Sequence, residues 1–149
     1  MASGYSWSSQ PSSTIYYAGY GRLVQNSSSV NPTFKCSNSN DLYTTSSSSK
    51  GNKKLTNPIG LITADEVVMG GLPWSGSTTS NYLYTGQHYW TMSPYSFYGS
   101  YASVFRVYSD GSLGGSYVYD SRGVRPVINL SADVKVTGSG TSSDPFVVT

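Results

Sequence analysis

Val104-Phe105-Arg106-Val107-Tyr108-Ser109-Asp110-Gly111-Ser112-Leu113-Gly114-Gly115-Ser116-Tyr117-Val118-Tyr119 is the stretch on which the fold reading turns. Apolar and polar positions alternate on both sides of Asp110-Gly111, a pair favoured in tight hairpin turns. A hairpin closed at that pair sets Phe105, Val107 and Val118, with Leu113, against a core. Arg106, Tyr108, Tyr117 and Tyr119 then share the opposite, displayed face.

Outward from the hairpin, Tyr82-Leu83-Tyr84 and Tyr89-Trp90-Thr91-Met92 read as strands, rich in aromatic and β-branched residues. Beyond Ser93-Pro94 the pattern alternates. Gly123 to Leu130 reads as the last strong strand, with Pro126 at an edge or bulge because it lacks an amide donor. A Gly/Ser/Thr turn over Gly138 to Ser143 leads into a short strand in Asp144-Pro145-Phe146-Val147-Val148. Upstream, Pro58 to Ile62 is a short apolar strand. Thr63 followed three residues later by Glu66 completes a capping box, so a helix from Ala64 to Met69 is expected, closed at Gly70-Gly71. Asp65 and Glu66 fit the dipole of a first turn better than an acid/base pair. The polar run 37–54 reads as a surface loop, Trp74 as an anchor, and residues 1–33 as a Ser-, Tyr- and Gly-rich lead-in. The expectation is one α+β domain over 1–149, β-dominated with one or two short helices, against the alternative of a β-sandwich.

The 149 residues suit a single domain with its own core. Only 11 % are charged and the net charge is +2. The one basic cluster, Lys50, Lys53 and Lys54, is too small for a nucleic-acid footprint. No apolar stretch approaches a membrane span, and the opening lacks a charged-then-apolar leader. Met1-Ala2-Ser3 reads as an expression start on a fragment, which assigns any leader or anchor to a longer gene product. A single cysteine, Cys36, excludes an internal disulfide and is expected to be a small buried or half-buried residue. His88 is the only imidazole, with no recognisable motif around it, which leaves little room for a triad or a zinc site.

Nine of the fourteen tyrosines fall between Tyr82 and Tyr119. Tyr among Ser, Gly and Asn is the chemistry of a paratope, each ring offering roughly 150–250 Å² of amphipathic area with few rotamers to freeze. The plainer alternative is that these rings pack a polar-rich β domain. Between Ser93 and Arg122 there is no Lys, Glu, Gln, Trp or Met, although all five occur elsewhere. Those five are the types that a codon ending in a pyrimidine cannot encode, whereas Asn codons altered at their adenines yield Tyr, Ser, Asp, Gly, Arg and His.

The frames Tyr89-Trp90-Thr91-Met92-Ser93-Pro94 and Gly123-Val124-Arg125-Pro126-Val127-Ile128-Asn129-Leu130, with the alternating segment between them, resemble variable proteins of diversity-generating retroelements. Pro58 to Glu66 is similar to a scaffold stretch of related bacterial and phage surface proteins, so the resemblance covers about 55–149. It implies a C-type-lectin-like fold and a variable segment at about 90–130, rewritten by an error-prone reverse transcriptase. Ligand contact is then carried by Tyr95, Ser96, Tyr98, Tyr101, Ser103, Arg106, Tyr108, Asp110, Ser112, Tyr117, Tyr119, Asp120 and Arg122. Phe97, Phe105, Val107, Leu113 and Val118 are expected to be scaffold. Many such domains end near the Arg-Pro-Val strand, and this chain continues about twenty residues beyond it.

The expected partner is a protein or glycan on another cell or virion surface, with the chain itself extracellular, on a cell or virion surface. Neither nucleic acid, catalysis, cofactor nor metal is expected. The Glu-Pro-Asn and Trp-Asn-Asp sets of calcium-dependent lectins do not occur. Formylglycine-generating enzymes share the fold but depend on cysteines, and Cys36 lies outside the matching region. Two other readings stay open: a fixed carbohydrate-binding or adhesin module, and, less favoured, such an enzyme. Asn26-Ser27-Ser28 and Asn129-Leu130-Ser131 fit the N-glycosylation pattern.

Overall fold

The computed structural model describes residues 12–25, 29–36, 43–44, 49, 51, 53–141 and 143–149. Asn26-Ser27-Ser28, Lys50 and most of the 37–54 run lie outside them. The elements in order are β1 (Ile15–Tyr16), α1 (Ala18–Leu23), β2 (Gly60–Leu61), α2 (Ala64–Met69), β3 (Tyr89–Tyr98), β4 (Tyr101–Val107), β5 (Leu113–Tyr117), β6 (Pro126–Val127), β7 (Val136–Thr137) and β8 (Val147–Val148). The main sheet runs β1-β3-β4-β5, every pair antiparallel, with small β2-β6 and β7-β8 ribbons beside it. Among the described residues the fold is thus β-dominated with two short helices.

Local chemistry accounts for α2. Thr63 Oγ1 accepts from the Glu66 amide, and the Glu66 carboxylate accepts from the Thr63 amide at 2.7 Å, so both halves of the capping box are made. Gly71, at φ +93, takes the left-handed residue that follows the helix. Asp65 does more than complement the dipole: it is buried, holds Arg22 of α1 at 2.9 and 3.1 Å, and accepts from the Thr33 amide. That tie fixes α1 to α2 across 43 residues.

The aliphatic core comprises Leu23, Ile62, Val67, Leu72, Leu83, Val107 and Leu113, with Phe105 and Tyr89. Trp74 anchors its loop as expected, lying parallel to Tyr95 at 5.9 Å and edge-on to Phe105 at 6.5 Å.

Four readings need correction. Tyr82-Leu83-Tyr84 is a turn and not a strand, because Asn81 bends it locally. Its Oδ1 accepts from Leu83, its carbonyl from Tyr84, and its Nδ2 donates to Gly70. Gly123 to Leu130 narrows to β6, with a single bridge from Gly123 to Tyr89. Pro126 does pair at an edge, opposite Leu61. Strand β3 does not stop at Met92 but continues to Tyr98 through two register shifts. Cys36 is exposed, because the chain leaves the core after Thr33 is tied to Asp65.

The hairpin carries the fifth and largest correction. Val107 pairs with Leu113, so the β4–β5 loop holds five residues, 108–112, and not the two of a tight Asp-Gly turn. A shift of one in register sends every side chain to the other face. Tyr117 therefore pairs with Ser103, on the side of Phe105, and Val118 falls past the end of β5 at 54 % exposure. Phe105, Val107 and Leu113 are the buried scaffold expected of them; Val118 is not, and Phe97 is half-buried.

Candidate functional site

Alternate residues of β4 on the core side change character step by step: Val107, Phe105, Ser103, Tyr101. Each step of two residues advances the backbone by roughly 6.5–7 Å. Val107 lies in the aliphatic core and Phe105 in an aromatic layer. Ser103 is small and closed in, and Tyr101 stands in solvent. The register extends the Ser103 level across all four strands, as Tyr16–Ser96–Ser103–Tyr117. Two buried serines form a floor between two tyrosine walls, and Tyr98 pairs with Tyr101 one level further out.

A bulge builds the back of this cleft. Pro94 pairs with Val104 and Ser96 with Ser103, which leaves Tyr95 as the extra residue of β3. Bulges re-aim side chains, and the Tyr95 ring packs at 4.9 Å from Phe105, 5.3 Å from Tyr20 and 5.9 Å from Tyr16. It also covers Gly115, where a Cβ would stand 2.7 Å from its ring. Burial, then the Tyr20 and Tyr16 hydroxyls, push the Tyr95 phenol up to about 12. With its pKa raised above the unfolded value of about 10, the stability Tyr95 contributes is whole below pH 10 and is lost as pH rises towards 12. An ultraviolet titration of the wild type against Tyr95→Phe is expected to show one late-titrating tyrosine missing from the variant. A Tyr95 that titrates with the exposed rings contradicts this placement.

The cleft, about 480 Å³, is lined by nine of the thirteen expected contact residues: Tyr95, Ser96, Tyr98, Tyr101, Ser103, Arg106, Tyr117, Asp120 and Arg122. Its lining comes from both sides of the sheet, because Arg106 pairs with Gly114 on the side opposite Phe105. Gly114 and Gly115 place no side chain at this edge; the Tyr108 ring occupies the space beside Gly114, and its hydroxyl donates to the Gly115 carbonyl at 3.3 Å. Arg106 stacks over the Tyr108 ring at 4.0 Å. Arg122 pairs with Asp120 at 3.1 Å, and the Ser116 hydroxyl donates to the same carboxylate at 2.6 Å. His88 accepts from the Ser109 amide through Nδ1, and its pKa is lowered by desolvation first and then by Arg106 and Arg122.

Tyr108, Asp110, Ser112 and Tyr119 stand outside the cleft. Tyr108 is half-buried structural packing. Asp110 closes the hairpin loop, accepting from the Ser112 amide and hydroxyl, contacts that hold its carboxyl below the usual carboxylate value. Tyr119 joins Tyr101 and Tyr117 in an exposed ring cluster with centroids 5.2–6.0 Å apart. The single displayed face expected for Arg106, Tyr108, Tyr117 and Tyr119 is therefore divided by the register shift. The sequence reading missed Thr14, Tyr16, Gly115 and Ser116 in the lining. The Tyr-rich lead-in around Tyr16 was visible, but its pairing with Ser96, eighty residues on, was not.

Among the described residues no group of three His, Cys, Asp or Glu is placed to hold a metal, and no helix is long and apolar enough to cross a membrane. The family model for a domain of unknown function, DUF6273, matches residues 24–132, and the chain belongs to that family. The matched segment holds most of the cleft but neither Thr14 nor Tyr16. No curated protein and no solved structure matches the chain.

Proposed function

We propose that this DUF6273 member is a non-enzymatic ligand- or receptor-binding module of a cell or virion surface. Its segment at about 90–130 is diversified by a retroelement on a C-type-lectin-like scaffold. The observation that carries the reading is the Tyr16–Ser96–Ser103–Tyr117 row, opening onto the exposed Tyr98, Tyr101 and Tyr119 rings beside an ordered core. Aromatic walls over small hydroxyl residues combine large contact area with little entropy to lose. Every lining position between Ser93 and Arg122 is Tyr, Ser, Arg, Asp or Gly, types within reach of an altered Asn codon. A protein or glycan is the expected ligand, bound without cofactor, metal or nucleic acid.

The gene tests this. A nearby near-identical template repeat and a reverse transcriptase gene are expected, with differences confined to template adenines and centred on the codons of the cleft. A locus without them, or differences spread into the codons of Phe105, Val107 and Leu113, overturns the diversification.

A further inference from the structure

Among the described residues Arg106 has no ion-pair partner. Its Nε and Nη1 are buried and have no hydrogen-bond partner among the described residues, and the same holds for Nε of Arg122. A buried guanidinium N–H left unpaired is costly, since desolvation is not returned by a bond. The Tyr108 ring covers one face of the Arg106 guanidinium but accepts no hydrogen bond in its plane. The one carboxylate in the lining, Asp120, is already engaged by Arg122 and Ser116. Two arginines thus share the cleft with one acid, a local excess of one positive charge.

We propose that the Arg106 end of this cleft is a subsite for the anionic oxygen group of an acidic sugar, a proposal that rests on the reading of the cleft as a ligand surface. The volume of about 480 Å³ is that of a small-ligand site. An acidic patch on a folded protein would instead bury about 800 Å² on each partner, mostly against the outer rings. Ser96, Ser103 and Thr14 carry hydroxyls that both donate and accept, as a polyol requires, and Tyr16 and Tyr117 provide ring faces beside them. Arginine forms charge-assisted bonds with carboxylate and sulfate, roughly twice as strong as neutral ones. Desolvation first, and then the charges of Arg106 and Arg122, lower the His88 pKa. Because Arg106 lies in the diversified segment, the acidic preference belongs to this variant and is expected to differ in its sisters.

The test is a calorimetric titration with digalacturonate, its neutral dimethyl ester, sulfated digalactose and a hexaglutamate peptide. The wild type is expected to bind digalacturonate about 10-fold or more tightly than the ester. Arg106→Gln should erase that difference, whereas Lys135→Gln, the same charge change at an exposed site away from the cleft, should preserve it. Equal or tighter binding of sulfated digalactose, lost in Arg106→Gln, also supports the subsite and names sulfate as its source. If Arg106→Gln fails to fold, the Arg106 Nε–H resonance of the wild type is followed instead, and it should shift on adding digalacturonate. An ester that binds as tightly, a preference that survives Arg106→Gln, an unmoved resonance, or tighter binding of hexaglutamate than of either acidic sugar overturns the proposal. A wild type that takes no sugar, from a locus that does carry the template repeat, overturns the subsite and leaves the proposed function standing.

Discussion

Replacing Phe105 by alanine is expected to lower the unfolding free energy by about 3–5 kcal/mol, the range for truncating a fully buried aromatic ring. Phe105 is 0 % exposed and joins two layers. Its ring meets Tyr95 and Trp74 on the cleft side, and a Cβ on Gly19 of α1 would stand 3.2 Å from it. Little can collapse into the space, because Tyr95 is held at a bulge and Trp74 is held against it. Equilibrium urea unfolding measures the effect. A loss below about 1 kcal/mol, the scale of a surface change, would show that Phe105 is not the joint between core and cleft.

Gly111→Ala is expected to cost about 2–5 kcal/mol, from two independent sources. An L side chain at φ +84 costs about 1–2 kcal/mol, and a Cβ there runs into the Thr78 carbonyl oxygen, overpacking worth about 1–3 kcal/mol. The loop is anchored at this point, since the Thr78 amide donates to the Asp110 carbonyl at 3.1 Å. Gly76→Ala separates the two sources. Gly76 also has positive φ, +94, but a Cβ there meets nothing within 4 Å. Urea unfolding should therefore rank Gly111→Ala well below Gly76→Ala. Equal losses would mean that the loop is free to move off Thr78, and that the register of β5 is not pinned there.

That register marks the boundary of what the sequence made legible. The capping box of α2 was readable because both partners lie within four residues. So was the burial of Phe105 and Val107, because alternation along one strand is local. Which side Tyr117 and Val118 take depends on whether the hairpin loop holds two residues or five, and Asp110-Gly111 serves both. The loop length is decided by Thr78 and by the Tyr108 and Tyr95 rings beside Gly114 and Gly115, contacts between distant parts of the chain. The bulge at Tyr95, the Tyr16 wall and the Arg22–Asp65 tie are likewise long-range. Residue type was the more durable signal. Nine positions chosen largely for being Tyr, Ser, Arg or Asp line one cleft, although the face assigned to some of them was wrong.

A saturation library sorted for resistance to proteolysis tests most directly whether a tolerant ligand surface stands on an intolerant fold. Resistance reports the equilibrium population of the open chain when opening and closing are fast. At Tyr98, Tyr101, Tyr117 and Tyr119 nearly every substitution should keep wild-type resistance. Ser96 and Ser103 should accept only small residues, and Phe105, Val107 and Leu113 only apolar ones. If the four tyrosines prove as intolerant as Phe105, they are core, and the account of a variable surface on a fixed scaffold is wrong.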